Sequence, residues 1–565
     1  MTSIRLNGIK QKDIIFWSSA FFIVFWALGS KALGGSEGRW AEVCRNMLMT
    51  GDYFHPAING VTYFDKPLFS YWAIVGISLL TGVLNEFIIR LPSAIAALTG
   101  VWATVGLSKR LWPEKIAHLS GWIMLTTYGF LWWARTGAAD MENMTVVILA
   151  VYCFFVRKDK PGFVSYLVFY LIIFLGAQFK GLPAVAVPLV VLAPYLAREK
   201  RWEKHFRISN FAALFIGVAV YFAPFAISTQ TQLPAGYVYQ SDEGQGNVQD
   251  GKKASGLKLV YIENIKRFFN AKDHRKPFYK YFEYLPQMLL PWSPFFVLAL
   301  LAAFLARKNL KPEARWLSEA IVLIFILFSL SSSKRWYYIL PALPFCVILT
   351  SWFLYSGYLK KLKRLVLIVI FFACLAASIG EVLFPVVSFV EKVKEVVTPI
   401  VVLSFIATGI LSMLPWFVRK WSPGYLTRLT GIPEAFSPCV LSIYILMTGF
   451  FCLQYVELDK FRTEKVFALK LKKETAGIEA ENIAFYLKVP PETLYYMQTT
   501  KPVQVLRGKE EAEALAKNGK GIFLTQQRIS EKPDIIEKRY PWEKKKEKHI
   551  GIFLNGKSSD LDGKD

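Results

Sequence analysis

Side chains that can do chemistry gather in one stretch, residues 33–72, directly after the first long apolar run. They are Glu37, Arg39, Glu42, Arg45, Asp52, Asp65 and Lys66. Charge beside lipid is costly unless it faces water, a partner or a substrate. Mutual pairing of these acids and bases is the plainest account of such a loop. A helix over 37–49 puts Glu37, Trp40, Ala41 and Cys44 on one side, with Arg39 near the opposite edge. Asn59-Gly60 signals a tight turn, and Asp65-Lys66-Pro67 opens an amphipathic run over 68–84. Arg135 and Asp140 end the third span, where solvation of a helix end accounts for both. Lys180, in Gln178-Phe179-Lys180-Gly181, is an anion contact or a snorkelling side chain. His274 stands alone in a basic loop and can donate or accept a proton near neutral pH. Lys334-Arg335 places two cations together on the outer face, where a bound anion or interfacial anchoring explains them.

The elements that must hold these groups are membrane helices. The 565 residues are 54% hydrophobic and 16% aromatic, with mean hydropathy +0.34. That composition excludes a soluble enzyme. Spans of about 20 apolar residues fall near 13–32, 90–108, 115–134, 142–156, 162–179, 182–197, 208–228, 286–306, 317–332, 337–356, 365–384, 397–418 and 437–456. The run at 68–84 reads as an interfacial helix inside an outer loop, 33–89. With it on the surface, Lys109-Arg110, Arg157-Lys158, Arg198 to Arg201, Arg307-Lys308, Lys360 to Arg364 and Arg419-Lys420 all fall on one side. This is the cytoplasmic side by the positive-inside rule. The fold class is therefore a polytopic α-helical membrane protein of about 13 spans over residues 1–456, with a second outer loop at 229–285. From 457 to 565 the chain turns charged. Strands are expected at 482–487, 503–506, 521–525 and 549–554, and helices at 491–497 and 509–517. That alternation predicts a small extracytoplasmic α/β domain with a disordered Lys- and Asp-rich tail.

Net charge is +25, but no nucleic-acid motif accompanies it; the excess suits anionic lipid or a phosphate-bearing substrate. Five of the six cysteines lie in apolar runs without metal spacing. The run at 14–30 has no cleavage signal behind it and reads as a retained span.

The order acid-x-Arg-aromatic-Ala, Gly-Asp, Asn-Gly and aromatic-acid-Lys-Pro resembles the first outer loop of the membrane glycosyltransferases of families 39 and 83. These include the aminoarabinose transferase of lipid A and the protein O-mannosyltransferases. Tyr63-Phe64-Asp65-Lys66-Pro67 matches the family's Tyr-Phe-Glu-Lys-Pro. Members carry Asp-Glu-x-Arg-Tyr-Ala where this chain has Ser36-Glu37-Gly38-Arg39-Trp40-Ala41, so Ser36 replaces the Asp. Ala134-Arg135 to Asp140, the Lys180 corner, His274 to Pro277, Pro291-Trp292-Ser293 and Ser331 to Pro341 are similar to further family segments. The resemblance implies a GT-C fold in the inner (cytoplasmic) membrane, with its site extracytoplasmic. It implies transfer of a monosaccharide from polyprenyl (undecaprenyl) phosphate to a lipid A, glycolipid, glycan or protein acceptor. On that reading Glu37 and Asp140 share the base's duty. Arg39, Lys66, Lys334 and Arg335 neutralise the departing phosphate, with Asp65 and His274 beside them. Trp40, Tyr63 and Tyr338 stack on sugar or line the lipid groove. The motifs fix no metal requirement: Glu37, Asp65 and Asp140 could hold a divalent cation, and Lys66 could replace one. The alternative class, a transporter or lipid flippase, calls for mid-span charges and matched broken helices; here the charges sit at one face and no repeat is evident.

Overall fold

The computed structural model describes residues 10–159, 162–199, 205–238, 274–387, 399–460, 464–480, 483–486, 489–506, 522–525, 535–537 and 550–554. Its first ten α-helices are α1 (Gln11–Phe25), α2 (Glu37–Thr50), α3 (Phe69–Thr81), α4 (Glu86–Leu111), α5 (Glu114–Leu125), α6 (Tyr128–Ala134), α7 (Asp140–Arg157), α8 (Phe163–Lys180), α9 (Pro183–Glu199) and α10 (Ile208–Gln230). Further helices follow, among them Tyr281–Met288, Ser293–Leu305, Pro312–Leu330, Leu343–Tyr355, Lys360–Val387, Pro399–Trp421 and Ser437–Gly449. Each apolar run expected to span holds helix. By length and apolarity alone, five of the described helices can cross a membrane, or six if a bent pair is one span. α1 has 15 residues and α9 has 17, so both fall short of that length.

Where the helices depart from the expected spans, local chemistry gives the reason. The run 115–134 breaks at Thr126-Thr127 into α5 and α6. Both hydroxyls bond back to the preceding turn, Thr126 to Trp122 O at 2.8 Å and Thr127 to Ile123 O at 2.7 Å. The amide of Tyr128 donates to Leu290 O at 2.9 Å, and Trp292 Nε1 donates to Thr126 Oγ1 at 3.0 Å. The run 286–306 is a pair of helices bent by 120°, with Pro291-Trp292 between them. α4 opens on an Asn85 cap, whose side chain accepts from Ile88 N at 3.0 Å. It ends on Lys109 and Arg110, which suit the negative helix terminus.

The loop between α1 and α4, expected on the outer side, carries α2, the two-residue strands β1 (Ala57–Ile58) and β2 (Val61–Thr62), and α3. Asn59 and Gly60 make the hairpin turn, both with positive φ (52° and 75°). The 13 residues of α3 rise about 20 Å, short of a hydrocarbon core of about 30 Å. Val238 pairs with this hairpin, its amide donating to Gly60 O at 2.9 Å. Residues 239–273 of the second loop lie outside the described residues.

Beyond the membrane helices, β3 (Ile483–Tyr486), β4 (Gln504–Leu506), β5 (Ile522–Thr525), β6 (Ile535–Glu537) and β7 (Ile550–Leu554) form one sheet in the order β4-β3-β5-β7-β6. β3 runs parallel to β4 and β5, and β7 is antiparallel to β5 and β6. The helix at Pro491–Met497 sits between β3 and β4 in the chain. β6 was not expected from the sequence, and the helix expected at 509–517 lies outside the described residues.

Candidate active site

Glu37 opens α2 and is 5% exposed. Its carboxylate takes both arms of Arg90, Nε to Oε1 at 2.7 Å and Nη2 to Oε2 at 2.8 Å. The amides of Gly137 and Gly34 also donate to it, at 2.8 and 3.1 Å. Burial alone raises a carboxyl's pKa, but the Arg90 guanidinium outweighs burial and holds Glu37 down at about 2. A carboxylate so fully used is a poor base. The structure places Glu37, expected to serve as a base, in a buried ion pair with Arg90. Arg90 also donates to the carbonyls of Leu28, Lys31 and Ala32 at 2.9–3.0 Å. Arg135, expected to be solvated, is 2% exposed and donates to Ile23, Val24 and Trp26 carbonyls at 2.7–3.0 Å. These carbonyls close the end of α1, where no further helical N–H reaches them. That is why helix 13–32 stops at Phe25. Trp40, expected on the sugar or the lipid groove, is 4% exposed and lies against Tyr71, ring centroids 6.2 Å apart.

On the other edge of α2, Arg39 Nη1 meets Tyr63 Oη at 2.7 Å and Asp65 Oδ2 at 3.3 Å. Tyr63 donates to the same Asp65 oxygen at 2.9 Å. Lys66 Nζ lies 3.4 Å from it and donates to Asp65 O at 2.7 Å. All four remain partly exposed. Asp65 thus aims two cations from different segments at one partly open spot.

Asp140 is the first residue of α7 and pairs with Lys180, the last of α8, at 2.8 Å. The Lys180 side chain is only 10% exposed, so it points inward and does not snorkel. Its ammonium stands 5.2 Å from the Tyr337 ring centre and 5.9 Å from that of Tyr338. Arg335 Nη1 donates to Tyr337 Oη at 2.8 Å, and Nη2 donates to His274 Nε2. That bond requires His274 to be neutral with its proton on Nδ1. Lys334 donates its backbone N–H to His274 O at 3.0 Å and its ammonium to Ser331 O. The amine of Lys334 is therefore turned into its own corner, while Arg335 reaches toward the tyrosines. Phe69, on α3, meets Phe179 beside Lys180, ring centroids 6.2 Å apart. That contact packs α3, which follows the Asp65-Lys66 turn, against the C-terminal end of α8. Trp133 Nε1, whose ring centroid lies 4.6 Å from that of Tyr337, and Arg335 Nε are buried donors without a hydrogen-bond partner among the described residues.

Sequence reading missed Arg90 and Tyr337. The only signal for Arg90 was a lone Arg inside the apolar start of a span. Tyr337 was hidden in a Trp-Tyr-Tyr run that reads as interfacial. Among the described residues no three His, Cys, Asp or Glu side chains converge to hold a metal ion.

Ser36 precedes α2 with αR backbone and makes no side-chain cap bond. Ser36→Ala should leave turnover within about threefold of wild type, because among the described residues the hydroxyl holds no hydrogen-bond partner whose loss costs energy. A loss of about 10²-fold in single-turnover transfer would instead give Ser36 a part in the chemistry.

Residues 65–227 match the family model for dolichyl-phosphate-mannose-protein mannosyltransferase. An undecaprenyl phosphate-α-4-amino-4-deoxy-L-arabinose arabinosyl transferase of Aeromonas salmonicida is 29% identical over 346 residues, 59% of this chain and 58% of that protein. One from an Enterobacter strain is 28% identical over 55% of this chain and 54% of its own length. The chain thus aligns with little more than half the length of these relatives. In structure it is similar to ArnT from Cupriavidus metallidurans bound to undecaprenyl phosphate, with a TM-score of 0.69 at 16% identity, covering 96% of this chain and 97% of that one. The apo form of the same protein gives a TM-score of 0.64 over 91% and 92%. The chain is a multi-pass membrane protein with the GT-C glycosyltransferase fold.

Proposed function

We propose that the chain transfers a monosaccharide from undecaprenyl phosphate, or a similar polyprenyl phosphate, to a hydroxyl of a lipid, glycan or protein. The reaction takes place at the outer face of the inner membrane. The observation that carries this is the continuous line Asp140, Lys180, Tyr337, Arg335, His274, drawn from four distant segments, with Arg39 and Lys66 gathered on Asp65 in the loop before α3. In the step, an acceptor oxygen bonds to the anomeric carbon as the anomeric C–O bond to phosphate breaks. The polyprenyl phosphate leaves with the electron pair, and the acceptor proton passes to Asp140. Lys180 orients that carboxylate. Arg39, Lys66 and Arg335 stand where charge builds on the leaving phosphate. The unpartnered donors around Tyr337 suit an incoming anion, because buried N–H groups are rarely left unpaired. The aminoarabinosyl transferases among the relatives favour undecaprenyl phosphate as the carrier.

The test is the purified full-length chain in detergent, given undecaprenyl-phosphate-linked pentoses and hexoses with an extract of membrane lipids and glycans. Release of undecaprenyl phosphate without any gradient is the expected result. Movement of an intact lipid-linked sugar across a vesicle bilayer, with no release, would replace this reading by the flippase.

A further inference from the structure

The segment beyond residue 456 holds the first outer loop at its two ends, along α2 and at its hairpin tip. Asp459 accepts from Ala32 N at 2.7 Å. Tyr496 Oη accepts from Leu33 N at 2.8 Å and donates to Glu86 at 3.1 Å, so it bridges the loop's two ends. Arg45, near the C-terminal end of α2, donates to Thr499 O at 2.7 Å. At the hairpin tip the Asn59 side chain makes both bonds a neighbouring strand would make, accepting from Val503 N at 2.8 Å and donating to Val503 O at 2.9 Å. Two glycines allow the close fit. A Cβ at Gly38 would stand 2.7 Å from Glu492 Cβ and 2.9 Å from its backbone N, and one at Gly60 would stand 2.6 Å from Pro502 Cγ. Gly38 sits inside a helix, where glycine is unfavourable, so the close contact is what its absent side chain permits.

We infer that this C-terminal segment is a positioning element of the site: through Asn59 and the Gly38–Glu492 contact it fixes the loop that presents Arg39, Asp65 and Lys66. This rests on the reading that the loop meets the polyprenyl phosphate. A loop held in one register presents both cations together. A loosened loop does so only part of the time, and apparent affinity falls by that fraction.

The test is titration of full-length protein in detergent with undecaprenyl phosphate, followed by tryptophan fluorescence, with the unfolding temperature measured alongside. Asn59→Gly keeps the turn, since glycine tolerates positive φ, and removes both bonds to Val503. Gly38→Ala improves the helix propensity of α2 but collides with Glu492, so helix weakening cannot explain a loss. Each should weaken undecaprenyl phosphate binding about tenfold, with the unfolding temperature nearly unchanged. Lys66→Ala separates the two readings. If Lys66→Ala weakens binding and the other two stay within about twofold of wild type, the positioning role is wrong and the site stands. If Lys66→Ala is also silent, the loop does not meet the carrier phosphate and both fall. A lowered unfolding temperature with unchanged affinity makes the contact structural only and overturns the inference.

Discussion

Asp140→Asn lowers sugar-transfer turnover by about 10²-fold or more, the scale of a general base, while undecaprenyl phosphate binding changes little. The expectation follows from what Glu37, Asp65 and Asp140 each already do. Glu37 is spent on Arg90 and two amides. Asp65 accepts from Tyr63 and Arg39 and has Lys66 beside it. Asp140 has Lys180 at 2.8 Å and lies close enough to Tyr337, the tyrosine that Arg335 reaches, to act on it electrostatically. Asparagine keeps the shape and the backbone but cannot take a proton from an attacking hydroxyl. Because the substitution also leaves Lys180 without its counter-charge, Asp140→Asn/Lys180→Met is the control for folding. It should unfold at nearly the wild-type temperature and stay inactive. Single-turnover measurement at saturating donor separates chemistry from binding. Turnover within about threefold of wild type for a folded Asp140→Asn protein would remove Asp140 from the base's role.

The parts of the molecule legible in the sequence are those written in local pattern. Apolar runs located the helices, and the helix at Pro491–Met497 was expected over those same residues. Asn59-Gly60 announced a turn that is present. The breaks were not legible. Thr126-Thr127 ends α5 through hydroxyl bonds to its own turn, and the carbonyl that receives Tyr128 comes from residue 290. Side-chain fate was hidden for the same reason. Lys180 is a plausible snorkelling residue until Asp140, 40 positions earlier, is found beside it. Trp40 has the residue type of a sugar platform but lies in the core. Motif spacing identified which residues gather, and burial decided which of them remain open to a ligand.

Glu37→Gln should destabilise the protein strongly and leave the folded fraction turning over at the wild-type order of magnitude. Glutamine keeps an oxygen for Gly137 but loses the charge that balances Arg90. Removing one partner of a buried pair costs about 3–5 kcal/mol, because the remaining charge stays desolvated. Arg90→Leu should be as harmful or worse, since it also frees the carbonyls of Leu28, Lys31 and Ala32. In Glu37→Gln/Arg90→Leu the unpaired charge is gone, so the double loss is smaller than the sum, yet those carbonyls keep it from being neutral. Acid should expose the same pair. The carboxyl sits at about 2 when folded against about 4.3 unfolded. A depressed folded value gives stability that is fully present above the unfolded value. That stability is lost as pH falls from about 4.3 toward the folded value, at about 1.4 kcal/mol per unit and about 3 kcal/mol at most. Unfolding temperatures in detergent across that window should fall more steeply for wild type than for Glu37→Gln. A Glu37→Gln protein that unfolds at the wild-type temperature but has lost about 10²-fold in turnover would restore Glu37 as the base and leave Arg90 as its activator. The two outcomes differ because an anchor acts on the amount of folded protein and a base acts on the rate of each folded molecule.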